Sequence, residues 1–292
     1  MKKVVVIVGP TAVGKTSISV EIAEHFGSEI ISGDSVQVYR GLDIGSAKIK
    51  PAQARGIKHH LLDILDLDES YDVAKFQKDT RELIAKIKHP LIVGGTGLYI
   101  KAALDDYDFS SSSRRLLFEE TYHSFSNEEL HRALAEQDYE ASLKIHPNNR
   151  RRVLRALSLS LDKGTKKTAN KDNPIYDYLI FYLSLPRKVL YKRIDARVDV
   201  MIRKGLIEEA AILYEKGYDL NIIGYKQLNQ YFAGNIKLET AINDIKRATR
   251  RYAKRQETWF KNQMTTTLID MSNYEIAKGK MIKKIGQFWK TK

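Results

Sequence analysis

The chain has 292 residues, 43% of them apolar, enough for one large domain or two modest ones around a real core. Its 49 lysines and arginines against 36 acidic residues give a formal charge of +13 and a pI near 9.5, the balance of a protein with a polyanionic partner. The lack of cysteine excludes disulfides, thiolate metal sites and a cysteine nucleophile, and the opening apolar run Val4 to Val8 is too short for a signal peptide or a span, so a cytoplasmic location away from membranes is expected.

Lys3 to Val8 is an almost continuous β-branched run without alternation, the pattern of a strand buried on both faces of a parallel sheet. The turn Gly9-Pro10-Thr11-Ala12-Val13-Gly14-Lys15-Thr16 follows, and Ile18, Ile22 and Phe26 then recur at helical spacing, predicting a helix over Ser17 to His25. Between a strand and a helix, this eight-residue pattern is a phosphate-binding loop. Backbone N–H groups and the helix N-terminus cradle phosphate oxygens, Lys15 adds a point charge, and the Thr16 hydroxyl can reach Mg²⁺. Read alone, the loop predicts a nucleoside triphosphate.

Glu29 to Ser32 and His60 to Ile64 read as further strands. Asp34, just past the first of these, emerges at the same sheet edge as the phosphate loop. It is open to three roles: Mg²⁺ ligand, general base, or N-cap of a helix beginning near Ser35. Ala74 to Lys88 has a helical period, and Leu91 to Val93 is a strand running into Gly94-Gly95-Thr96-Gly97-Leu98-Tyr99. Those glycines either admit a ligand close to the backbone, with the Thr96 hydroxyl beside it, or make an ordinary strand-to-helix turn. The alternation implies an α/β fold, a doubly wound parallel sheet flanked by helices, with ligands at the carboxyl ends of its strands.

From Ser110 to Lys171 no strand signal appears. Residues 110–172 are therefore read as an all-helical insertion, with 1–109 and 173–292 forming the core. Within it, Arg150, Arg151, Arg152 and Arg155 oppose an apolar stripe of Val153, Leu154 and Leu157, suiting either phosphate-backbone contact or a solvated charged face. Tyr178 to Leu185 predicts a strand, Leu190 to Lys216 and Leu238 to Asn262 amphipathic helices, and Thr267 to Asp270 a last strand. Lys254-Arg255-Gln256-Glu257-Thr258-Trp259-Phe260-Lys261 interleaves cations with aromatics as nucleic-acid surfaces do, although Trp259 and Phe260 suit a core equally. The histidines form no metal-ligand spacing.

Gly9 to Thr16, Asp34 to Tyr39, Gly41 to Lys48, Gly94 to Tyr99, Ile145 to Leu157, Ile223 to Lys226 and Lys254 to Phe260, in that order, closely resemble the bacterial tRNA dimethylallyltransferases from about residue 3 to 270. The resemblance implies a P-loop-like sheet with a helical, tRNA-contacting insertion. It also implies transfer of a dimethylallyl group from dimethylallyl diphosphate, with Mg²⁺, to the exocyclic N6 amine of the adenine 3′ of the anticodon. By matching positions, Asp34 looks like the general base, Thr96 a residue near the reacting groups, and Arg115 (with Arg114 adjacent) a catalytic arginine. The segments implied to meet the anticodon stem-loop are Asp34, Ser35, Val36 and Gln37; Arg151, Arg152, Val153, Leu154 and Arg155; and Lys254, Arg255, Gln256, Trp259 and Lys261. The family is generally monomeric. The chain departs from it in lacking a Pro-rich stretch after Asp108 and in having Asn221 where some members have arginine. Two other classes share the phosphate loop, an ATP-dependent small-molecule kinase and a nucleotide-switched RNA-binding protein, and the two basic clusters argue against the kinase.

Overall fold

A computed structural model describes residues 1–107, 109, 121–161 and 173–291. The chain divides into two units, one of Met1–Asp105 with Pro174–Lys292 and one of Asp106–Asn173.

The first unit is built on a six-stranded parallel sheet: β1 (Lys3–Val8), β2 (Glu29–Gly33), β3 (His59–His60), β4 (Pro90–Gly94), β5 (Asp177–Ser184) and β6 (Thr267–Asp270), in the order β3-β2-β4-β1-β5-β6. The β-branched run of β1 lies at its centre because Val4 to Val8 are wholly buried, with helices covering both faces. On one side Ile18 and Ile22 of α1 (Lys15–Phe26) pack on Val5 and Ile7; on the other, Phe76 and Ile84 pack on Val4 and Val6. These last belong to a helix separated from α1 by the single turn α2 (Pro51–Ala54). It is α3 (Val73–Lys86), capped where Asp72 accepts the Ala74 and Lys75 N–H groups. α4 (Gly97–Leu104) leads to the boundary of the second unit.

That unit carries α5 (Asn127–Gln137), α6 (Tyr139–Lys144) and α7 (Arg150–Leu161) around Leu130, Leu134, Val153 and Leu157. A Ser126–Glu129 capping box starts α5, and the Arg150 guanidinium donates to the carbonyls of Tyr122 and Phe125. Arg150 thus has an internal task, while Arg151, Arg152 and Arg155 are exposed.

The first unit then closes with α8 (Arg187–Arg203), α9 (Leu206–Glu215), α10 (Tyr225–Phe232), α11 (Leu238–Gln263) and α12 (Tyr274–Lys290). Three expectations are corrected. The helix expected over Leu190 to Lys216 is two, because Gly205 takes a φ of +98° that ends α8 and redirects the chain. The strand expected over His60 to Ile64 stops at His60, because Leu61 and Asp63 adopt left-handed backbone, φ 61° and 52°. No helix follows Ser35. The Asp34 carboxylate instead accepts the Val36 N–H at 2.8 Å and the Gln37 N–H at 3.4 Å, holding a turn. Among the described residues no helix is long and apolar enough to cross a membrane.

Candidate active site

Strand order brings the motifs together. β4 lies between β1 and β2, with Val8 level with Gly94 and Gly94 level with Gly33, so the segments after all three strands leave the sheet side by side. Packing at this edge is so close that a Cβ on Gly94 would lie 2.1 Å from the Gly33 carbonyl oxygen.

The phosphate loop turns through positive φ at Gly9 (152°), Ala12 (64°) and Gly14 (107°). Ala12 is the informative one, since a residue with a Cβ held there costs about 1–2 kcal/mol, a strain typical of ligand loops. Val13 plugs the loop from beneath, and the Lys15 ammonium donates to the Gly9 and Pro10 carbonyls at 2.8 and 2.9 Å. Burial, reinforced by the Arg197 guanidinium of α8 and opposed by Asp34, lowers the Lys15 pKa to about 7. Arg197 is likewise depressed by burial and supported by Asp34. Two cations and one carboxylate therefore share one enclosed field, and a bound anion would relieve the repulsion between the cations.

Thr96 stands beside this group, its hydroxyl accepting the Ser35 N–H at 3.3 Å. α11 covers the glycine motif with Tyr252, Gln256 and Trp259, spaced to share one helix face. Cβ atoms on Gly95 and Gly97 would fall 2.1 Å from Gln256 and Trp259, so both glycines are there to admit the helix. Tyr252 hydrogen-bonds with Thr96 and Gln256, and burial first, then Asp34, pushes its phenol up to about 12, keeping it protonated. A cavity of about 850 Å³ opens beside Thr16 and Ser17, lined by Ile44 and Lys48 on one side and by Arg197 and Met201 of α8 on another.

Residues 37–263 match the IPP transferase family model. A tRNA dimethylallyltransferase of Bacillus pumilus is 45% identical over 285 residues, covering 92% of this chain and 90% of its own. Among solved structures, the full-length tRNA isopentenylpyrophosphate transferase of Bacillus halodurans has a TM-score of 0.76 and 42% identity over 99% of this chain and 97% of that one. A eukaryotic dimethylallyltransferase acting on tRNA has a TM-score of 0.83 and 28% identity, covering 99% and 79%. The chain belongs to the IPP transferase family. It is an enzyme of the tRNA dimethylallyltransferase type, and the kinase reading of its phosphate loop is set aside.

Gly9 to Thr16, Asp34 to Gln37 and Thr96 converge at one sheet edge, as their positions after β1, β2 and β4 require. Lys254, Arg255 and Lys261 are exposed on α11 and Trp259 is half-buried against Gly97. Two residues placed among tRNA contacts have their side chains elsewhere. Val153 is fully buried in the core of the second unit. Gln256 is buried with both amide atoms engaged, Oε1 accepting the Thr11 N–H at 3.0 Å and Nε2 donating to the Gly95 carbonyl at 3.0 Å. It joins the phosphate loop to the glycine turn. Gln256→Leu is therefore expected to lower stability by about 1–3 kcal/mol, because a buried donor and acceptor lose their partners. Denaturant titration checks this, and an undiminished stability with weakened tRNA binding would instead make Gln256 a tRNA contact. Arg115 and its neighbour Arg114 lie outside the described residues.

Arg197 and Tyr252 were not foreseen. A signal for Arg197 existed, since it falls on the buried stripe of α8 with Leu190, Ile194 and Val198, and a cation on an apolar stripe needs a partner.

Proposed function

We propose that the protein transfers a dimethylallyl group from dimethylallyl diphosphate to the N6 amine of the adenine 3′ of a tRNA anticodon, releasing diphosphate. The observation that carries this reading is the pair of enclosed cations, Lys15 and Arg197, that share the field of the Asp34 carboxylate. In the reaction the allylic C–O bond breaks, the N6–C bond forms, and the amine proton passes to the Asp34 carboxylate. An exocyclic purine amine is a weak nucleophile and diphosphate leaves as a polyanion. Preorganised positive charge at the leaving group and an aligned base at the amine are the two contributions the protein must make. Thr96, beside the Asp34 turn, would bond the phosphate. The acceptor base must unstack to reach an enclosed carboxylate, a cost lowered in a loop whose bases are unpaired. All these groups belong to one chain, which is read as acting as a monomer.

Mg²⁺ fits the residues present. No group of three or more His, Cys, Asp or Glu that could cage an ion occurs among the described residues, and Thr16 is exposed at the start of α1. Mg²⁺ characteristically keeps waters and is taken through one or two protein oxygens plus the substrate's phosphates. Thr16 would hold it, and the ion would supply charge neutralisation for the leaving diphosphate.

Incubation with unmodified tRNA, Mg²⁺ and dimethylallyl diphosphate, followed by digestion and mass analysis of nucleosides, is expected to yield a prenylated adenosine. ATP in place of the prenyl donor should give none. Absence of the prenylated nucleoside with a competent tRNA would end this reading. The exposed Arg151 and Arg155 of the second unit are read as phosphate contacts. Replacing both with alanine should weaken tRNA binding and reduce the slope of log affinity against log salt by about 1.4–1.8, two phosphates' worth. An unchanged slope would place both arginines off the tRNA.

A further inference from the structure

Two stretches of the chain outside the groups named above, Gly41 to Lys48 and Ile223 to Lys226, meet at Glu209 in the first turn of α9. The Glu209 carboxylate accepts the N–H groups of Asp43 (3.0 Å), Ile44 (2.8 Å) and Gly45 (2.9 Å) and the hydroxyl of Tyr225 (2.6 Å). Tyr225 is buried, and Gly45 lies so close to its ring that a Cβ would come within 2.6 Å. At the far end of the loop the enclosed Lys48 ammonium donates to the Tyr39 carbonyl and pairs with Asp43 and Asp63. The loop so fixed is one wall of the cavity beside Thr16, where Asp43, Ile44, Ala47 and Lys48 stand with Glu209 itself. Its Ser46 carbonyl accepts from Gln37 Nε2 at 3.2 Å, and the Gln37 N–H is in turn held by Asp34.

We propose that Glu209, with Tyr225, is a positioning residue that sets the donor-side wall of the site and, through Ser46 and Gln37, steadies the turn carrying Asp34. The inference rests on the prenyl diphosphate reading. Four donors converge on one side chain, so an acceptor-only group is required. Glutamine would turn an NH₂ toward N–H groups, losing charge-assisted bonds and adding repulsion. Tyr225 supplies one of these donors, and the closeness of its ring accounts for glycine at 45.

Glu209→Gln, Tyr225→Phe and Gly45→Ala would be compared with the unaltered enzyme. Donor KM is read at saturating tRNA, tRNA affinity by filter binding, and folding by thermal melt. Donor KM is expected to rise about tenfold in Glu209→Gln and Gly45→Ala and about threefold in Tyr225→Phe, while tRNA affinity stays within about twofold. A donor KM that is unchanged, or that rises only in step with a loss of tRNA affinity, overturns the proposal. So does a failure of all three variants to fold, which would make Glu209 a framework ion and nothing more. If the unaltered protein makes no prenylated adenosine, the functional reading fails instead. The wall is then judged by binding of inorganic pyrophosphate to the same variants, where the same pattern of weakening is expected and its absence overturns the proposal.

Discussion

Asp34→Asn is expected to lower kcat by roughly 10²–10⁴-fold while leaving tRNA affinity within about twofold, because a general base acts in the transition state more than in the bound ground state. Asparagine is the informative replacement. Its Oδ1 can still accept the Val36 N–H that Asp34 holds at 2.8 Å, so the turn survives while the basic oxygen pair is lost. Asp34→Ala removes base and turn together, and its additional loss over Asp34→Asn measures the turn alone. Single-turnover formation of prenylated adenosine on pre-bound tRNA separates chemistry from binding. A parallel fall in tRNA affinity for Asp34→Asn would make Asp34 a recognition or framework residue, and an unaltered rate would remove it from the chemistry.

Lys15→Met should reduce kcat/KM for the prenyl donor by roughly 10²–10³-fold, the usual consequence of removing one preorganised group from a developing anion. Stability should move the other way. Lys15 is held at a pKa of about 7 by burial beside Arg197, so the charged lysine is carried at a cost to the folded state. Below pH 7 that cost is fully present. From pH 7 up to the ordinary lysine pKa the unfolded chain retains a proton that the folded one has released, so wild-type stability rises with pH. The melting temperature of the wild type is therefore expected to gain on that of Lys15→Met between pH 6 and 9, with the variant no less stable at pH 6. A variant less stable than the wild type at pH 6 would contradict the burial cost, with the lesser repulsion from Arg197, that lowers the Lys15 pKa. The combination is what a ligand site built for an anion predicts: a charge that function requires and folding does not.

The alternation of strands and helices in a parallel sheet and most of the phosphate site could be read without coordinates, because they depend on short-range pattern, whereas the order β3-β2-β4-β1-β5-β6 could not. The burial of Val4 to Val8 follows from an unbroken β-branched run, and the loop from Gly9 to Thr16 is recognised by residues adjacent in the chain. What local pattern misjudged was conformation decided by one or two residues against their surroundings. Gly205 splits a continuous helical period, Leu61 and Asp63 take left-handed backbone inside an apolar run, and Asp34 closes a turn where a cap would have opened a helix. Propensity is summed over a window and cannot register such positions. The residues read as tRNA contacts divide into exposed and buried side chains for a related reason. A segment that carries exposed cations on a helix also carries buried side chains on its other face, so Val153 and Gln256 travel with Arg155 and Lys254 in sequence and part from them in space.

The sequence by itself determined that three glycine- or acid-bearing segments follow strands of one parallel sheet, that the chain is strongly basic in two clusters, and that its motifs match a tRNA-modifying family. Only the tertiary structure decided which distant side chains complete the site. Arg197 reaches the phosphate loop from α8, a helix far downstream of Lys15 in the chain. Gln256 crosses from α11 to Thr11 and Gly95, and Glu209 gathers three N–H groups of a loop far from it in sequence. Such partners are chosen by packing against a common sheet edge, where burial obliges each charge and each backbone donor to find its counterpart, and no spacing along the chain records that choice.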